Sequence, residues 1–186
     1  MSCCRLETER LLLRPPEAGD IARIVPLLGD YAVARNLSRV PHPYGAEDAQ
    51  SFISRAAEER ALGQTHVFAI VPKSDGALAG TCGLHLKDDG VFEFGYWLGQ
   101  PYWGRGLASE AARRLAAFAF HDLDAPTLRA GWFHDNPASG HVLDKLGAVP
   151  AGVEHRDCLA RGHAVYCHMV VLDRENFRRR QRKPGP

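Results

Sequence analysis

The sequence predicts one α/β domain of the α+β kind, a mostly antiparallel sheet flanked by helices. Three observations point there. A chain of 186 residues, 45% hydrophobic and 24% charged, suits a single domain with a substantial core. Segments 66–71, 78–86 and 91–98 read as strands joined by the turns Ser74-Asp75-Gly76 and Asp88-Asp89-Gly90, an antiparallel meander. The meander then runs into a glycine turn, and a helical pattern begins at once.

The remaining elements follow in order. Residues 10–14 form a short apolar strand ended by Pro15-Pro16, and Asp20 is placed to cap a helix over 21–28. Residues 41–45 are a loop. Residues 46–62 read as a helix stopped by Gly63. Beyond the glycine turn, Leu107, Ala108, Ala111, Ala112, Leu115, Phe118 and Ala119 recur at three- and four-residue steps, while Glu110, Arg113, Arg114 and His121 occupy the opposite face. A strand is predicted over 127–133. Asn136 in an N-cap position with Pro137 behind it starts a helix that stops at Gly147. The last strand covers 165–172. Residues 1–177 make one domain, and 178–186 are a basic tail read as a solvated, frayed end.

The stretch from Glu93 to Ala111 carries the most chemistry. Phe92, Phe94, Tyr96 and Leu98 share one side of their strand; Glu93, Gly95 and Trp97 share the other. Glu93 is the charged residue in an otherwise apolar strand. Gly104 and Gly106 lack side chains, so phosphates could lie against main-chain N–H groups at the positive end of a helix dipole. A bare glycine turn is weak evidence, and two common phosphate motifs are missing. There is no P-loop sequence, and Ser109 stands where a dinucleotide fingerprint needs its third glycine.

Trp103-Gly104-Arg105-Gly106-Leu107-Ala108 resembles the acyl-CoA signature of the GNAT superfamily of N-acetyltransferases. That signature has Arg or Gln, two residues, Gly, one residue, then Gly or Ala. Gly106 and Ala108 match it, and Trp103 replaces the Arg or Gln. The form Pro101-Tyr102-Trp103-Gly104-Arg105-Gly106 is similar to the ribosomal-protein N-acetyltransferase (RimJ/RimL-like) branch. Residues 6–14 with Asp20 resemble that branch's opening strand and first helix. Residues 77–84 resemble its third strand. Asn136-Pro137-Ala138-Ser139, followed by Lys145-Leu146-Gly147, resembles its second cofactor element. The matches span nearly the whole chain.

The resemblance implies a three-layer fold with a mixed, mostly antiparallel sheet of about seven strands and splayed middle strands. It implies acetyl-CoA as co-substrate and transfer of the acetyl group to a primary amine, on a protein N-terminus or a small molecule. Tyr96, Trp97 and Leu98 would offer main chain to the pantetheine arm, with a main-chain N–H near Leu98 as oxyanion donor. Gly104, Arg105, Gly106, Leu107, Ala108 and Ser109 would take the pyrophosphate, beside Trp103; Asn136 would help hold the pantetheine arm, and Ser139 would contact the thiol end. Glu93 falls where several GNAT enzymes carry a catalytic glutamate, and partial burial is expected to raise its pKa. The alternative for Glu93 is an ion pair with an arginine across the sheet. Ser139 is the candidate proton donor to the thiolate, because Leu143 stands where many relatives carry an acid tyrosine. Tyr31, Asn36 and Tyr44 lie where the family builds its acceptor pocket. Homodimers are common in the family.

Net charge is +1, which offers no global case for nucleic-acid binding, and no apolar run approaches membrane-spanning length. The first residues carry no secretory segment, so the expectation is cytoplasmic. Cys3, Cys4, Cys82, Cys158 and Cys167 form no disulfide framework, and the cluster of Cys158, His163, Cys167 and His168 matches no common zinc spacing; no metal is expected. Two other classes stay open: a non-catalytic acyl-CoA sensor, and a ribosome-associated binding protein carried by the basic tail.

Overall fold

A computed structural model describes residues 5–182. Eight strands form one sheet: β1 (Leu6–Glu7), β2 (Leu11–Arg14), β3 (Thr65–Pro72), β4 (Gly80–Leu86), β5 (Phe92–Leu98), β6 (Thr127–Phe133), β7 (Val149–Cys158) and β8 (His163–Asp173). Their order is β1-β2-β3-β4-β5-β6-β8-β7, antiparallel at every pair except β5–β6. The helices are α1 (Ile21–Gly29), α2 (Tyr31–Ala34), α3 (Ala46–Ala61), α4 (Leu107–His121), α5 (Pro137–Leu146) and α6 (Arg174–Arg182).

Alternation along the strands sorts the core into two layers. Leu11, Leu13, Phe68, Ile70, Phe94 and Leu98 point to the face covered by α4, α5 and α6, where Leu115, Leu146 and Phe177 meet them. Leu12, Ala69, Val71 and Trp97 point to the other face, against Ile24 and Leu28 of α1 and Ala49 and Ile53 of α3.

The eight strands agree with the mostly antiparallel sheet of about seven that the resemblance implies. The six segments read singly as strands leave out β1 and the exposed edge strand β7. Val149 to Asp157 are nearly all exposed, so no buried face imposes alternation on the sequence. Two expectations about particular segments are corrected. Asp20 is not a side-chain cap for α1. Its buried carboxylate instead accepts both guanidinium nitrogens of Arg14 (2.8 and 2.7 Å) and the N–H of Glu17 (2.9 Å). Arg178 to Arg182 are not frayed: they continue α6, which is anchored by buried Phe177. Cys3, Cys4 and Lys183 onward lie outside the described residues.

Candidate active site

The two central strands pair only at their starts. Register runs Phe92↔Leu128 and Glu93↔Arg129 and then stops, although β5 continues to Leu98 and β6 to Phe133. Hydrogen-bonding direction alternates along a strand. Gly99 N–H donates to Ala79 O, so the odd-numbered residues of β5 bond to β4 and the even-numbered ones turn toward the gap. Tyr96 and Leu98 therefore present main chain to the opening. Trp97 does not: its main-chain groups face β4, although the residue is part of the cleft lining.

This gap widens into a cleft of about 690 Å3. It is lined by Tyr96, Trp97 and Leu98 from β5, Trp103 and Ala108 from the glycine turn and α4, and Asn136 and Ser139 from α5. Gly104, Arg105 and Gly106 of the turn and Leu107 and Ser109 of the first turn of α4 lie outside the lining, next to Trp103 and Ala108. Gly104 and Gly106 both take positive φ (72° and 76°), which favours glycine. Gly106 is the N-cap of α4 and supplies no side-chain cap, leaving the helix's first N–H groups to an incoming acceptor. The turn is braced from behind. Arg10 donates to Arg105 O (3.0 Å), and Glu110 accepts from Arg10 Nε (2.6 Å), Arg10 N (2.9 Å) and the Thr8 hydroxyl (2.5 Å). Trp103 has a local job as well: its indole N–H donates to Leu98 O at 2.7 Å, tying the turn to the end of β5.

Asn136 caps α5, its side chain accepting from Ser139 N at 3.4 Å. Leu143 is buried and lines the cleft, so an apolar group does stand at that helical position. A phenol reaches the same place from the sheet. Tyr96 Oη lies 2.9 Å from Ser139 Oγ and 3.1 Å from Ser139 O. Burial pushes the Tyr96 phenol up to about 12, against the opposing hydrogen bond from Ser139, so it remains protonated.

A second cavity of about 330 Å3 lies on the other side of β5. Leu37, Ser38 and the stretch from Glu93 to Trp97 line both cavities, so the two meet there. Tyr44, which is buried, lines the second cavity, and Asn36 lines the first with its amide donating to Ala32 O (2.8 Å). Tyr31 is half-exposed against the His42 ring and lines neither.

Glu93 stands at the junction, its side chain 16% exposed. Arg156 of β7 binds it through both guanidinium nitrogens (3.1 and 2.9 Å), and Lys87 Nζ lies 3.6 Å away. The raised pKa expected for Glu93 is corrected. Burial does push it up, but the Arg156 hydrogen bonds and the charges of Arg156, Lys87 and Arg39 outweigh burial and hold it below 4.5. Opposite Glu93 in register is His85, which burial first, and then Arg39, Lys87 and Arg55, press down to about 4. Arg156, Arg39, Arg55 and His85 had no sequence signal, since none belongs to a motif and Arg156 sits on the unpredicted strand.

The far rim of the cleft is held by Asp135. It accepts from Arg35 (2.6 Å) and from both Nη atoms of Arg161 (2.9 Å each), while Arg161 Nε donates to Arg35 O (2.7 Å). The Arg161 hydrogen bonds, against a smaller burial effect, bring the Asp135 carboxyl down to about 2. A folded pKa below the unfolded one stabilises the fold above about pH 4, and that contribution fades as pH falls toward 2. With the side chain 28% exposed, solvent screening trims it to about 1–2 kcal/mol. Asp135→Asn should therefore lower the urea midpoint at neutral pH, and the difference from wild type should shrink as the titration is repeated at lower pH. A difference that stays constant with pH would show that the ion pairs are not its source.

Among the described residues no helix is long and apolar enough to cross a membrane, and no three His, Cys, Asp or Glu side chains are grouped to hold a metal.

A splayed parallel pair, a glycine turn at a helix N-terminus and a second cavity meeting the first thus make up the site. The chain belongs to the acetyltransferase (GNAT) domain family, whose profile matches residues 10–149. It is 29% identical over 174 residues to the protein named uncharacterized N-acetyltransferase p20 of Bacillus licheniformis, covering 92% of this chain and 97% of that one. Among solved structures, Mycobacterium smegmatis RimJ in complex with CoA-disulfide superposes with a TM-score of 0.82 at 19% identity, covering 94% of this chain and 89% of that one. The microcin C7 self-immunity acetyltransferase MccE, in complex with acetyl-CoA and AMP, superposes at 0.77 and 16% identity, covering 89% and 93%. The fold is that of these acetyltransferases, and the protein is an acetyltransferase.

Proposed function

We propose that the protein transfers the acetyl group of acetyl-CoA to a primary amine, on a protein N-terminus or a small molecule, by direct attack on the thioester. The observation that carries this is the cleft that runs from Trp103 and Ala108, on either side of the glycine turn, along the β5–β6 gap to the junction of the two cavities at Glu93 and Tyr96. The N–H groups of Gly104 to Ser109 take the pyrophosphate. The main chain of Tyr96 and Leu98, with Asn136 across the gap, holds the pantetheine arm. At the junction the amine nitrogen attacks the carbonyl carbon, and the carbonyl electron pair moves to oxygen, facing the Leu98 N–H. Collapse breaks the carbon–sulfur bond, and Ser139, hydrogen-bonded to Tyr96, gives its proton to the leaving thiolate. The attacking nitrogen, still carrying a positive charge after addition, releases its second proton to water, and Ser139 regains a proton from water through the Tyr96 phenol, which ends protonated as it began.

Glu93 attracts the ammonium to the junction and receives its proton through water. Because its cationic neighbours hold the Glu93 carboxyl below the ordinary carboxylate value and His85 is pressed down to about 4, both are in their basic forms across the neutral range. The pH profile of kcat/KM should then report the amine: a rise of about tenfold per pH unit up to the amine's own pKa, with no earlier inflection. An inflection near pH 6–7 that disappears in Glu93→Gln would mean that the carboxyl titrates there and that the Arg156 pair opens during turnover.

The proposal is tested by thermal melting with acetyl-CoA and by thiol release with an amine panel. A site of about 10 μM affinity at 1 mM ligand stabilises by about 2.7 kcal/mol, a rise of roughly 5–10 °C for a domain of this size. No shift would remove the cofactor assignment. A shift without thiol release from any amine would favour a sensor that binds acyl-CoA without turnover.

A further inference from the structure

We propose that the second cavity selects amines that also carry a carboxylate or phosphate group; this rests on the acetyl-transfer reading above. The cavity is polarised. At its inner end, where it meets the cleft, stands the carboxylate of Glu93. Arg39 and Arg55 line this cavity and not the cleft, and both are exposed, which places them toward its solvent side.

Neither arginine has a close ion-pair partner lining the cavity, and Arg39 acts on Glu93 through its charge alone. Arg39 forms no ion pair or hydrogen bond among the described residues. Arg55 has Glu59 at 3.7 Å, an exposed pair along α3 of the kind that contributes little. The acidic groups facing this space are Asp48 and Glu93. Asp48 is engaged by the Gly45 N–H (2.8 Å), and Glu93 is matched by Arg156 and Lys87. His85 adds a neutral ring to the wall, pressed toward its uncharged form in part by these same arginines.

A ligand with an anionic group toward Arg39 and Arg55 gives the two guanidinium groups a partner, while its amine reaches the junction beside Glu93, whose carboxylate Arg156 and Lys87 already flank. Guanidinium groups favour carboxylate and phosphate because their N–H forks match two oxygens at once. A polycationic amine would set its second charge against the arginines, and a neutral amine would leave them without a partner. The shared chemistry has two sources, a free zwitterion such as an amino acid or aminoalkyl phosphate, and a peptide N-terminus with an acidic residue close behind it.

Matched pairs test this with acetyl-CoA as donor. The free arm compares O-phosphoethanolamine with ethanolamine and 4-aminobutanoate with its amide. The peptide arm compares a serine-aspartate-alanine tripeptide with serine-asparagine-alanine, and spermidine serves as the polycation. The anionic member of at least one arm should have a kcat/KM higher by roughly tenfold or more. That preference should shrink in Arg39→Met and Arg55→Met and in about 0.5 M salt. The responding arm identifies the source. Both arginines are exposed, and unchanged melting of the unliganded variants verifies their fold. Calorimetric titration with the same probes gives a readout independent of turnover. Anionic probes that bind wild type and not the arginine variants support the inference even if the transfer reading fails. Equal or better turnover and binding of the neutral or polycationic members would overturn it while leaving acetyl transfer intact.

Discussion

Gly106→Val should abolish the stabilisation that acetyl-CoA confers while leaving a folded protein. Gly106 sits at φ 76° at the N-cap of α4, and a β-branched residue is strained there by roughly 1–3 kcal/mol. An added Cβ meets only Arg10 Nη2, at 3.5 Å, which is ordinary contact and does not prevent folding. The chain can relieve the strain by turning the N–H groups of the first turn away from their common focus. The ligand's pyrophosphate would then lose several charge-assisted hydrogen bonds at once. Gly90 gives the control, with φ 78° and open space around its Cβ position in the hairpin before β5. Gly90→Val should lower the melting temperature by a similar few degrees and keep the full acetyl-CoA shift. If both variants retain the shift, the glycine turn is not the phosphate site.

The second large effect concerns proton delivery to the thiolate. Ser139→Ala and Tyr96→Phe should each lower kcat by roughly 10- to 100-fold with little change in KM for acetyl-CoA. The lower part of the range of acid catalysis is expected because a thiolate is a good leaving group. Ser139 Oγ and Tyr96 Oη are 2.9 Å apart and act as one unit, so the double variant should lose little more than either single one. Additive losses would show that the hydroxyls act separately. A normal kcat in Tyr96→Phe beside a low one in Ser139→Ala would leave the serine without its phenol partner in the mechanism.

Leu143 shows why the phenol was not legible. Along the chain, Leu143 reads as the loss of an acid tyrosine from α5. In space, β5 carries Tyr96 to the same helix from the sheet, 43 residues earlier. Pairwise proximity across elements leaves no trace in local spacing. The same holds for Glu93. Its place in an apolar strand announced a special carboxylate, but its ionisation depends on Arg156, 63 residues away on the exposed strand β7. An edge strand with no buried face has no alternation to read. Hence the partner that reverses the effect of burial on Glu93 was invisible together with its strand.

The sequence by itself determined the meander, the helices and the glycine turn, because each is written in short-range patterns: apolar steps of two or of three and four, Asn136-Pro137 at a helix start, Gly104 and Gly106 where φ must be positive. Tertiary structure alone decided the meeting of the two cavities at Glu93, the Tyr96–Ser139 pair and the arginines of the second cavity. The physical reason is range. Backbone propensity and periodicity act over a few residues, whereas charge and hydrogen bonding act between whichever side chains the packed sheet brings within a few ångströms.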